Sequence, residues 1–137
     1  MASVSFPSTD AAEVVELEFM KAQGGIRTLR LMIDTGFTGR SSLVLGNDAA
    51  ELIRAALPET QTTGALMGLQ ARAWVTCRLP ALSFQSTVIA IVTDLSSLSL
   101  PSGIDGMVGL SFLRQFARWG AERTGQEWRF FLFDRID

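Results

Sequence analysis

The sequence predicts an all-β domain, β-rich with two short helices, and three observations predict it. Several runs alternate apolar and polar residues with a period of two, as strands with one dry and one wet face do. Helical spacing occurs in only two brief stretches, one mid-chain and one near the end. Glycine, proline and small polar clusters separate the runs. At 137 residues the chain is the size of one domain and long enough to bury a core without disulfides or metal. We read a single domain over 1–137, with its core over about 14–133.

In chain order, Val15, Leu17 and Phe19 alternate with Glu16 and Glu18, which predicts a first strand. Gly24-Gly25 supplies a turn. Leu29, Leu31 and Ile33 then alternate with Arg30 and Met32 and lead into Asp34-Thr35-Gly36, so the first two strands form a hairpin whose second arm ends at that tripeptide. Residues 42–45 read as a short strand. Asn47 or Asp48 then caps a helix that carries Leu52, Ile53, Ala56 and Leu57 on one face and stops at Pro58.

The segment 60–68 is small, polar and glycine-bearing, a loop or hairpin tip with Leu66 and Met67 ahead of Gly68. The longest alternation follows, with Leu69, Ala71, Ala73, Val75, Cys77 and Leu79 on one face, and Trp74 among the residues of the other. Pro80 closes it. Residues 84–92 form a strand rich in β-branched side chains and 94–103 a loop. A short apolar segment over 104–109 ends at Gly109. Ser111 caps a helix presenting Leu113, Phe116 and Ala117, which Gly120 stops. The final strand, 128–133, is nearly all aromatic or aliphatic, so both its faces are expected to meet protein, one of them in another subunit.

Composition narrows the chemistry by what it lacks. The chain has no histidine, so Ser-His and Cys-His nucleophiles and histidine metal sites cannot be built from it. Its single cysteine, Cys77, forms neither an internal disulfide nor a thiolate cluster. It reads instead as a small buried hydrophobe on an apolar face. We expect no metal and no cofactor. A net charge of −2 with scattered arginines gives no case for nucleic acid, and no apolar run is long enough to cross a bilayer. A cytoplasmic protein is expected. What remains for proton transfer is a carboxylate.

The carboxylate in the most telling context is Asp34. It ends an apolar strand, stands in Met32-Ile33-Asp34-Thr35-Gly36-Phe37-Thr38, and is followed 73 residues after Asp34 by Met107-Val108-Gly109-Leu110-Ser111-Phe112-Leu113. Together these two motifs resemble the retropepsin-like aspartic peptidases, single-lobe relatives of pepsin known from retroviruses and as small bacterial proteins. The resemblance implies a single-lobe acid-protease barrel in which Asp34, Thr35 and Gly36 are catalytic. Phe37, Thr38, Val108 and Gly109, with Leu66, Met67 and Gly68 of a flap, would border the substrate. It also implies a homodimer joined through the Asp34 loop and the strand over 128–133, since only one Asp-Thr-Gly is present. Two such carboxylates share one proton, one acting as base toward water and the other as acid toward the peptide carbonyl.

Other readings stay open beside it. The same fold serves a catalytically silent peptide-binding or dimerisation module if its aspartates stand too far apart. Glu16 and Glu18 share a strand face, as a glycosidase pair would, but a solvated strand face explains them as well. Asp105, before Gly106, reads as a loop carboxylate.

Overall fold

A computed structural model describes residues 2–39, 41–53, 61–63, 69–98 and 100–135, and only the backbone of 61–63, 69, 70, 97 and 135. Its strands are β1 (Ser3–Pro7), β2 (Val14–Met20), β3 (Ile26–Ile33), β4 (Leu43–Gly46), β5 (Gln61–Thr63), β6 (Leu69–Leu79), β7 (Phe84–Thr93), β8 (Gly106–Val108), β9 (Phe116–Thr124) and β10 (Glu127–Arg135). Two helices accompany them, α1 (Asn47–Ile53) and the single turn α2 (Leu110–Leu113). The described residues are mostly strand, so the all-β class holds. Among the described residues no helix is long and apolar enough to cross a membrane.

Six strands close a barrel in the order β2-β3-β8-β4-β7-β6, sealed where Glu18 and Phe19 of β2 face Arg78 and Cys77 of β6. The alternation seen in the sequence sets which side chains enter it. Val15, Leu17, Phe19, Leu29, Leu31, Val75 and Cys77 all lie in the buried core, while Glu16, Trp74 and Arg72 face out. The hairpin between β2 and β3 turns at Gly24 and Gly25, with φ of 91° and 90°, values that only glycine adopts without strain. Phe84, Phe112 and Phe116 pack ring against ring at 4.8 to 5.8 Å between centroids, which is the range of favourable aromatic contact.

The segment that positions the site is β8. It lies between β3, to which it is parallel, and β4, to which it is antiparallel. Gly106 is required there by close approach, because a Cβ at that position would run into the carbonyl oxygen of Val44. The outer face of this region is also covered: Val44, Ile91 and Met107 form a second buried cluster with Met32, Phe37, Leu95, Leu98 and Leu100 packed on it. The centre of the barrel wall is therefore dry on both faces, a rigid base for the loop it carries.

A separate three-stranded sheet runs β1-β10-β9 and places Phe6, Phe130 and Leu132 in the main core. The second helix, α1 and the residues ahead of Val14 differ from expectation. The helix expected from Ser111 to Gly120 is only the single turn of α2, and from Phe116 the chain is strand β9, paired with β10 from Arg135↔Phe116 to Glu127↔Thr124. Phe116 does enter the core, but through strand pairing and the aromatic group rather than a helical face. Both edges of the strand over 128–133 are paired within its own chain, β1 on one side and β9 on the other. Its buried face carries Phe130 and Leu132, while Trp128 is half-exposed. In α1 the buried residues are Ala49, Ala50 and Ile53, and Leu52 is 44% exposed; Ala56 and Leu57 lie outside the described residues. Finally, β1 extends the ordered domain ahead of residue 14, where no strand was expected.

Candidate active site

β3 and β4 are consecutive in the chain, yet β8 lies between them, so the connection over 34–42 must cross the end of β8. Asp34 is the first residue of that crossing. Its backbone N–H donates to the Val108 carbonyl at 2.9 Å and extends the β3–β8 ladder by one bond. The Phe37 N–H returns to the Asp34 carbonyl at 3.1 Å, closing a turn. The Gly36 N–H donates to Asp34 Oδ1 at 3.0 Å, so one carboxylate oxygen is held by its own loop. No described residue bonds the other oxygen. The loop is then stitched to the far side of β8, with the Leu110 N–H on the Phe37 carbonyl and the Gly109 N–H on the Ser42 carbonyl, both at 2.9 Å.

Gly109 allows this closeness. A Cβ there would stand 2.5 Å from Phe37 Cδ2 and 2.8 Å from the Phe37 oxygen, a collision with ring and backbone together. The two motifs of the sequence therefore touch: Asp34, Phe37, Val108 and Leu110 form one hydrogen-bonded unit, with Gly109 packed against Phe37.

The other sequence-derived residues divide clearly. Thr35, Gly36 and Thr38 are exposed on the loop beside Asp34, which is itself half-buried. Phe37 packs on the outer cluster and against Gly109, and Val108 is fully buried. Both therefore act by holding the loop. Leu66, Met67 and Gly68 lie outside the described residues. On either side of them β5 and β6 pair from Thr63↔Leu69 to Gln61↔Ala71.

Strand register also places Trp74. Ile33, Val108, Leu43, Ala90 and Ala73 form one row across the sheet. The next row is Asp34, Gly109, Ser42, Ile89 and Trp74, tied by the Ser42 N–H to the Ile89 carbonyl at 3.0 Å. Trp74, 60% exposed, thus stands four strand spacings from Asp34, about 19 Å along the sheet. It flanks the aspartate of its own chain and does not cover it. Sequence reasoning missed Ser42, which is buried, whose carbonyl anchors Gly109 and whose hydroxyl accepts from Ser111 at 3.4 Å. The signal was the polar pair Ser41-Ser42 directly ahead of a wholly apolar strand.

Asp105, Glu16 and Glu18, the other carboxylates weighed in the sequence, have structural employment. Asp105 Oδ2 accepts the Arg30 N–H at 2.9 Å, and its own backbone bonds Arg30 and Gly46. Glu18 pairs with Arg78 at 2.8 Å and Glu16 with Arg30 at 3.7 Å across neighbouring strands. Burial pushes the Cys77 thiol up to about 12, which keeps it protonated and unreactive. No family model matches the chain, and no curated protein or solved structure matches it.

Proposed function

We propose that this chain is one half of a retropepsin-like aspartic endopeptidase, with Asp34 from each of two copies forming the catalytic pair. The observation that carries the reading is the Asp34 carboxylate: immobilised through Gly36 on one oxygen, free of described partners on the other, and seated at the end of β3 beside the fully buried strand β8. An immobile carboxylate with one working oxygen is what a general acid–base needs. The chain offers one such group, so a two-fold axis supplies the second.

In this reading a water lies between the two carboxylates, which share one proton. The ionised member takes a proton from the water as it attacks the peptide carbonyl, and the protonated member gives its proton to the carbonyl oxygen. Collapse of the tetrahedral species expels the amine, which takes up a proton. Thr35 braces the two loops, Gly36 leaves its backbone open to an extended peptide, and the segment 60–68 serves as the flap. The buried, inert Cys77 suits a reducing compartment such as the cytoplasm.

A peptide-library cleavage screen tests the reading. Asp34→Asn removes the ionisable group at nearly constant shape and should abolish cleavage while leaving sedimentation unchanged. Mixed with wild type, it should depress activity below the fraction of wild-type chain present. Cleavage by Asp34→Asn at the wild-type rate overturns the assignment.

A further inference from the structure

The three-stranded sheet has two outer edges, and they differ. β1 is five residues long and ends in Pro7, which lacks a backbone donor, so that edge is blunted. β9 is nine residues long, contains no proline and, among the described residues, pairs only with β10. Its free side presents a row of backbone donors and acceptors, a template for a further strand.

We propose that β9 pairs antiparallel with β9 of a second copy of this chain, centred on Gly120. Gly120 is the middle residue of β9, so full overlap of two such strands puts Gly120 opposite itself on the two-fold axis. In that register Arg118 faces Glu122 of the other copy, and by symmetry Glu122 faces its Arg118. Two opposite-charge pairs thus flank a residue with no side chain. A Cβ at Gly120 would meet nothing within 4 Å, so the axis is open.

Charges on an edge strand usually deter pairing. Here their signs and spacing favour one partner, because residues two places either side of the centre are opposite in sign and directly apposed cross-strand pairs of opposite charge attract. The cations are also preset. The Arg118 guanidinium lies 4.3 Å from the Phe133 ring centroid, held over the sheet face by cation–π attraction, and Glu122 forms no ion pair among the described residues. The result is a continuous six-stranded sheet across two protomers, an isologous contact of the closed two-fold kind.

Charge reversal tests the pairing directly. By sedimentation, wild type should dimerise, and Arg118→Glu and Glu122→Arg should each weaken association by about tenfold or more, because both cross-strand pairs become like-charged. Mixing the two variants in equal amounts should restore association, since each introduced charge then faces its opposite. Circular dichroism confirms that each variant is folded. A monomeric wild type, single variants that associate like wild type, or a mixture that stays dissociated would each overturn the proposal. Asp34→Asn leaves this edge untouched, so loss of cleavage and loss of this pairing are separately readable.

Discussion

The carbonyl of Phe37 accepts the Leu110 N–H at 2.9 Å, in a gap that exists because Gly109, one residue earlier, has no side chain. Gly109→Ala drives a methyl group into the Phe37 ring and oxygen. Overpacking of this kind costs about 1–3 kcal/mol, and here the strain falls on the loop that holds Asp34. Chemical denaturation should show that loss, and cleavage should fall further than the lost stability explains. Wild-type stability and turnover in this variant would show that the loop is not held at this contact.

Asp105 binds the Arg30 N–H through its side chain while its own N–H donates to the Arg30 carbonyl at 2.8 Å. Asp105→Ala leaves a half-buried amide without its acceptor, at about 1–3 kcal/mol. Asp105→Asn keeps an acceptor and should recover most of the loss. Equal destabilisation by both variants in urea titrations would refute the hydrogen-bond explanation.

Cys77 gives the fold a pH dependence of known sign. The unfolded thiol titrates near the ordinary 9.0 and the native one near about 12, so between them the unfolded chain sheds a proton that the native chain keeps. The stability tied to this group is intact below pH 9.0 and declines as pH rises above it. Denaturation midpoints on either side of that pH should show the decline in wild type and a smaller one in Cys77→Val. Iodoacetamide should modify Cys77 only once the protein is unfolded.

Phe112 is fully buried between Phe84 and Phe116 and is the link from α2 to the barrel. Phe112→Ala should cost about 3–5 kcal/mol, the usual loss for a deleted buried aromatic side chain, and Phe112→Leu distinctly less. If thermal unfolding shows no difference between the two, the aromatic group is not tightly packed.

How much was legible depended on how cleanly a segment alternates and on whether its partners are near in sequence. The hairpin of β2 and β3 and the strand β6 were plain from alternation, because each has one wet and one dry face and neighbours that follow closely. β9 was not. Leu113, Phe116 and Ala117 have helical spacing, but the side-chain environment of Phe116 is set by Phe84, and the strand is fixed by β10 across the turn at Gly125, where φ is 65°; the cue in the sequence was that glycine. β1 shows a different failure: Val4 and Phe6 alternate with serines, yet their partners are in β10, over 120 residues away by its register. At the site, Asp34 and Gly109 could be named from their motifs. The part played by Phe37 and Ser42 could not, because it uses backbone atoms that residue type does not reveal.

The late position of β8 bears on how the protein is made. Arg30 and Asp105 are 75 residues apart in sequence and bonded in space, so a nascent chain emerges with its Asp34 loop long before the wall that braces it. Until Gly106 to Leu110 leave the ribosome, no ladder holds that aspartate, and the carboxylate remains unpositioned while the barrel's other five strands have already been synthesised. Long-range closure of this kind is slow, which separates the emergence of the chemical group from the moment it can act.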